Sequence, residues 1–141
     1  LRLISEIIYK HNSSFTEDEI LNLYDNVGWT NYTKNIKKLI RALNNSLYTL
    51  TAWDKNKLVG LIRVVGDGET IIYIQDILVL IEYQRQGIGS KLLKAVLDKY
   101  KNVRQKVLLT DDTEKTRLFY KANGFEPANR SNLVSYVLIN N

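Results

Sequence analysis

Ile77-Leu78-Val79-Leu80-Ile81-Glu82-Tyr83-Gln84-Arg85-Gln86-Gly87-Ile88-Gly89-Ser90 decides how this chain is read. An aliphatic run ends in a short acidic-aromatic link, and the link enters a turn carrying two glycines. Beyond the turn Ile88, Leu92, Val96 and Tyr100 recur every four residues, the spacing of one helical face. Strand, loop and helix follow one another. A dinucleotide fingerprint would need a third glycine where Leu92 stands. A phosphate-binding P-loop needs Gly-Lys-Ser/Thr, whereas Gly89-Ser90-Lys91 has the order wrong. An ordinary strand-to-helix turn stays open. Glycines allow close backbone approach, and the first amides of a helix lack internal partners. Amides from about Arg85 to Ser90 could therefore cradle a diphosphate, with Arg85 and Lys91 adding positive charge.

Outward from this loop the periodicity changes twice. Tyr48 to Trp53, Lys57 to Val65 and Glu69 to Val79 are β-branched and aromatic runs. Asp54-Lys55-Asn56 and Gly66-Asp67-Gly68 separate them, which predicts an antiparallel meander. Before the meander, Leu1 to Ile8 reads as a strand. Thr16 with Glu19 forms a capping box for a helix that Gly28 stops, and Phe15 and Ile20 stand at the two ends of a hydrophobic staple. A second helix is predicted from Thr33 to Asn44, its buried face Ile36, Leu39, Ile40 and Leu43. After the loop helix come a short strand over 106–110, a helix over 113–123 and a last strand over 132–139. The order predicts one mixed α/β domain over residues 1–141: a mostly antiparallel central sheet flanked by helices.

Composition narrows the chemistry. The 141 residues hold no Cys and a single His, His11. A disulfide framework, a thiolate nucleophile and a Cys-ligated metal are excluded, and a His-based metal site or Ser-His-Asp triad is not expected. Carboxylates, tyrosines, hydroxyls, backbone amides or a borrowed co-substrate must do the work. Twenty Lys+Arg against 15 Asp+Glu give +5, a surface that raises the local concentration of anions without choosing among them. No apolar run approaches the ~20 residues of a membrane-spanning helix. Leu1 stands where Met would open a native chain, so a trimmed or longer start is expected. The start lacks a secretory pattern, which predicts the cytoplasm.

The aliphatic strand followed by Gln84-x-x-Gly87-x-Gly89 resembles the acyl-CoA-binding signature of the GCN5-related N-acetyltransferases, the GNAT superfamily. Tyr120-Lys121-Ala122-Asn123-Gly124-Phe125 resembles that family's second segment, Tyr-x-x-x-Gly-Phe, at its usual distance. The two motifs cover about residues 76 to 126. The resemblance implies a sheet that splays at the strand before the loop. It implies acetyl-CoA as co-substrate, with no metal. Backbone groups of Ile77, Leu78 and Val79 would take the pantetheine arm and the acetyl carbonyl. Gln84, Arg85, Gln86, Gly87, Ile88, Gly89 and Ser90 would take the diphosphate.

The family's Tyr protonates the departing sulfur, which points to Tyr120; a phenol is protonated at neutral pH and can donate. Many members carry Asn seven residues earlier as a cofactor contact. Thr113 stands there, either as that contact or as a helix cap. Asp76 is the central candidate for general base, directly or through water, with Glu82 and Glu126 as rivals. Val27-Gly28-Trp29-Thr30-Asn31-Tyr32-Thr33 resembles a segment of small bacterial and plant-type members, among them arylalkylamine acetyltransferases. Trp29 and Tyr32 would then line the acceptor pocket, or they pin the early helices to the core. The resemblance implies transfer of an acetyl group to a primary amine by direct attack in a ternary complex, and it allows a homodimer. The expected acceptor is a small amine; a protein or peptide amine is the alternative. So is a CoA- or polyanion-binding module without turnover, although scattered Lys and Arg and the absence of any nucleic-acid motif speak against a nucleic-acid partner. No membrane partner is expected.

Overall fold

The structure, a computed structural model, describes residues 6–11 and 14–140. Contacts divide the chain into two units, residues 1–109 and 110–141. The first unit carries β1 (Ile7–His11), α1 (Glu17–Asn26), α2 (Thr30–Thr33), α3 (Ile36–Asn44), β2 (Tyr48–Asp54), β3 (Lys57–Gly66), β4 (Ile71–Val79), a 3-10 turn (Ile81–Tyr83), α4 (Ile88–Lys99) and β5 (Gln105–Leu108). The strands form one sheet in the order β1-β2-β3-β4-β5. The first four run antiparallel, and β5 lies parallel to β4.

Local chemistry explains most boundaries. Thr16 Oγ1 accepts from Glu19 N at 3.1 Å while Glu19 Oε1 accepts from Thr16 N at 2.8 Å, the reciprocal box expected from the sequence. The expected helix from Thr33 is instead two pieces. Asn35 breaks it with a non-helical backbone, φ −136° and ψ 81°, and its side chain accepts from Lys38 N to cap α3 afresh. The first strand is shifted. Residues 1–5 of the expected span lie outside the described residues, and the ladder runs on to His11, which pairs with Leu50. His11 looks like linker because it is polar, but its ring stacks on Tyr48 at 4.5 Å.

The core sits on the central strands. Leu58 through Val64 are all buried, as expected of a strand covered on both faces. Gly60 faces α4: a Cβ there would meet Ile88 and Leu92 side chains and the Leu78 carbonyl oxygen at 3.3 Å. Arg63, an odd number of residues along, points to the opposite face, where α1 and α2 lie.

The second unit, described by itself, carries α5 (Glu114–Ala122) and a 3-10 turn (Ala128–Ser131). The last strand expected over 132–139 is not formed. Residues 133–140 carry no regular structure, and Leu133, Val134, Tyr136, Val137, Leu138 and Ile139 are exposed. An apolar, β-branched pattern states what a strand would bury. It becomes a strand only where a neighbour supplies the ladder.

Candidate active site

β4 and the loop after it build the site. β5 pairs with Ile71 through Ile74; from Gln75 to Val79, among the described residues of the first unit, β4 has its ladder on the β3 side alone. Leu80 N donates to Val59 O of β3 at 2.9 Å. Strand alternation then turns the backbone groups of Leu78 and Asp76 toward β3 and those of Val79 and Ile77 toward the open side. Of the three residues expected to offer backbone groups, Ile77 and Val79 face outward and Leu78 is spent inside the sheet.

The loop is tied back to this edge. Gln84 Nε2 donates to Val79 O at 2.9 Å, a reason for an amide side chain at the first motif position. Arg85 and Gly87 both take left-handed backbone, φ 64° and 83°. Gly87 caps α4, and the first helical bond runs from Lys91 N to Gly87 O at 3.0 Å. The amides of Ile88, Gly89 and Ser90 precede that bond and have no acceptor within the helix. Lys91 adds a cation one residue on. This donor set suits a diphosphate.

On the opposite face of β4 lies a polar cluster that the sequence reveals only in part. Asp76 is 1% exposed. Its Oδ2 accepts from Arg63 Nε at 2.7 Å and from Tyr24 Oη at 2.8 Å, and its Oδ1 accepts from Tyr32 Oη at 2.9 Å. Gln75 Nε2 donates to Tyr32 Oη at 2.8 Å. Arg63 pairs with Asp76 and Val64 with Ile74, so Gln75 is the extra residue of a β-bulge. Such bulges re-aim side chains, and this one puts Gln75 and Asp76 on the same phenol. Burial, followed by the charge of Asp76, holds the Tyr24 and Tyr32 phenols above their ordinary range. The Trp29 ring lies 6.0 Å from Tyr24 and 6.2 Å from Tyr32, completing an aromatic wall.

Of the other acidic candidates, Glu82 belongs to the same unit and is not hydrogen-bonded to this cluster. Glu82 is bound at the surface by Lys57 Nζ and Asn26 Nδ2, each at 3.4 Å. Glu126, in the second unit, is exposed. Thr113 and Tyr120 also belong to that unit. Thr113 Oγ1 accepts from Thr116 N at 3.2 Å as the cap of α5. The Tyr120 ring packs edge-on against Phe119 and Phe125 at 5.0 and 5.8 Å, and burial pushes its phenol up to about 12. Arg63, Tyr24 and Gln75 are the members of the cluster that sequence reasoning does not single out. One charge inside the apolar run Leu58–Val64 is the signal for Arg63, since a buried guanidinium needs a carboxylate. Tyr24 gives none, because its ring serves the core equally well.

A mixed five-stranded sheet and a glycine loop that opens a helix at the end of β4 define an α/β fold with free helix-start amides beside the sheet. The family profile described as acetyltransferase (GNAT) domain matches residues 13–137. The chain belongs to the GNAT acetyltransferase family, an acyltransferase class. It is 30% identical over 113 residues to an uncharacterized ycf52-like N-acetyltransferase of Prochlorococcus marinus, covering 76% of this chain and 61% of that protein. With the uncharacterized ycf52 N-acetyltransferase of Gracilaria tenuistipitata identity is 27% over 128 residues, 86% of this chain and 68% of the relative. The chain thus spans about two thirds or less of these curated relatives. A solved GNAT-family acetyltransferase from Streptococcus pneumoniae TIGR4 superposes with TM-score 0.85 at 41% identity, covering 96% of this chain and 98% of that one.

Proposed function

We propose that this chain, read as one acetyltransferase domain, transfers an acetyl group from acetyl-CoA to the nitrogen of a primary amine in a ternary complex. The observation that carries the reading is the open β4 edge at Gln75–Val79 running into the left-handed Gly87 that opens α4. Gln84, Arg85, Gln86, Gly87, Ile88, Gly89 and Ser90 bind the diphosphate, and Ile77 and Val79 pair with the pantetheine arm. Acetyl-CoA supplies the activated thioester. The amine nitrogen bonds to the acetyl carbon, the carbon–sulfur bond breaks, and the proton lost by the amine is taken by water and passes to solvent, on the side of the site where Asp76 holds Tyr32. Tyr120 Oη gives a proton to the sulfur and regains one from solvent. Thr113, spent on its helix, contributes to the cofactor at most through its position. Trp29 and Tyr32 line the acceptor pocket, and a small amine fits their aromatic wall.

No helix among the described residues is long and apolar enough to cross a membrane, and the reading places the protein in the cytoplasm. A homodimer belongs to it as well, supported by the exposed apolar row Leu133–Ile139. Sedimentation is expected to report two chains, and a single-chain mass at micromolar protein would dispose of the dimer.

Calorimetric titration with acetyl-CoA is expected to give a dissociation constant in the range of about 1 μM to 1 mM common for enzyme substrates. Thiol release should then rise with at least one member of a primary-amine panel. Absence of binding overturns the reading at its first step. Binding without thiol release leaves a CoA-binding module, and release with peptides alone moves the acceptor to proteins.

A further inference from the structure

Within the hydrogen-bonded cluster, Tyr32 is half-buried while Asp76 and Tyr24 are shut away at 1% and 0%. Its phenol has a single proton, and that proton goes to Asp76 Oδ1 at 2.9 Å. The direction of this bond is imposed from behind. A carboxylate beside a guanidinium has acceptor sites only, and Asp76 is held by Arg63 at 2.7 Å and by Tyr24 at 2.8 Å. Tyr32 must therefore donate inward. From the other side Gln75 Nε2 donates to the same oxygen at 2.8 Å. Toward anything further, Tyr32 Oη can only accept.

We propose that Tyr32 Oη is the acceptor that seats the reacting nitrogen of the amine substrate, and that Asp76 is the positioning residue that fixes its polarity. The inference rests on the acetyltransferase reading and deepens it. A group that accepts and cannot donate selects an N–H-bearing ligand and leaves an acceptor-only ligand unsatisfied. An ammonium that gives one N–H to Tyr32 on binding can lose another proton to water, and the lone pair so freed points away from Tyr32 for attack on an acyl carbon. The Trp29 and Tyr24 rings, 6.2 Å and 5.5 Å from Tyr32, supply faces for a cationic or aryl-bearing amine. Asp76 itself touches no substrate. It acts through Tyr32, backed by Arg63 and Tyr24, and the Gln75 bulge keeps the phenol from turning.

The test is calorimetric binding of tryptamine, phenethylamine and spermidine to the full chain saturated with CoA, alongside thiol release with acetyl-CoA. Tyr32→Phe should weaken the best-bound amine by about tenfold to a hundredfold, the size expected for one hydrogen bond involving a charged group. Its acetyl-CoA affinity should stay within about twofold of wild type, a split that a merely structural role would not produce. Asp76→Asn should weaken the same amine, and the double variant should lose no more than the single ones, because one residue works through the other. Losses that multiply overturn the positioning role. Unchanged amine affinity in Tyr32→Phe overturns the proposal outright, and that variant alone decides the matter should Asp76→Asn fail to fold. Failure of all three amines to bind wild-type protein overturns it too. Amine binding without thiol release sinks the transferase reading and leaves the Tyr32 seat standing.

Discussion

Gly87→Val is expected to abolish measurable acetyl-CoA binding while leaving a folded protein. Gly87 has φ 83°, and a Cβ built there meets no heavy atom within 4 Å. The substitution is thus free of collision inside the chain, and its cost to folding is the left-handed backbone of a β-branched residue, about 1–3 kcal/mol. That is a noticeable drop in thermal midpoint for a chain of this size, not a collapse. The damage falls on the ligand side. The open space beside Gly87 is where a diphosphate would approach the amides that open α4, and two methyls would fill it. Misplacing several charge-assisted bonds, each worth about 1.5–3 kcal/mol, multiplies to at least a hundredfold in affinity. Titration calorimetry with acetyl-CoA, beside a thermal melt, reads both quantities. Unchanged affinity in a folded Gly87→Val protein would remove the loop from the binding site. Gly66 gives the opposite case: a Cβ there would stand 2.5 Å from the Ile71 carbonyl oxygen, so substitution would strike the β3–β4 turn instead of any ligand.

What the sequence makes legible is whatever is settled by neighbours along the chain. The Thr16–Glu19 box closes within four residues, and the meander strands are cut by turns whose residues permit little else. The Gln84-x-x-Gly87-x-Gly89 loop is equally local, since its left-handed residues and the Gln84–Val79 tie span a few positions. Contacts reaching across the fold are invisible. Tyr24 and Asp76 are 52 residues apart, and nothing in either neighbourhood announces that a phenol and a carboxylate will meet. The Gln75 bulge is hidden for a related reason: an extra residue leaves the composition of a strand unchanged and shows only in its register with β3. Residues 132–139 fail in the other direction. Their local preference for a strand is strong, yet a ladder needs a second backbone, and preference alone does not supply one.

The +5 charge bears on the loop more narrowly than the sequence suggests. Arg63 is consumed by Asp76, Lys57 by Glu82 and Lys37 by Glu17. Arg85 and Lys91 flank the opening of α4, where a dipole effect of about 0.3–1 kcal/mol adds to theirs. Under the proposed function, attraction for a multiply phosphorylated ligand would come from cations placed at this helix start, and the net charge of the chain is a weak proxy for it.

Tyr120→Phe is expected to cut turnover by about 10²- to 10⁴-fold, the usual span of general acid catalysis, with acetyl-CoA affinity held within a few fold. Phe keeps the ring that packs against Phe119 and Phe125 and removes only the proton donor. Equal losses in turnover and in affinity would mark Tyr120 as a packing residue. The pH profile sharpens the distinction. Burial pushes the wild-type phenol up to about 12, so the acid stays protonated throughout any practical assay. Activity should rise with pH as the amine loses its proton and should show no phenol-controlled decline below about pH 10. The same shift gives a stability signature of definite sign. Between the unfolded value near 10 and the folded value of about 12 the folded chain binds more protons than the unfolded one. The contribution of Tyr120 is therefore fully present below about pH 10 and is lost as pH rises toward 12. In Tyr120→Phe that part of the alkaline decline should disappear, which denaturant melts at stepped pH can measure. A variant that keeps wild-type turnover, whatever its alkaline melt, would remove Tyr120 from the proton path to the sulfur.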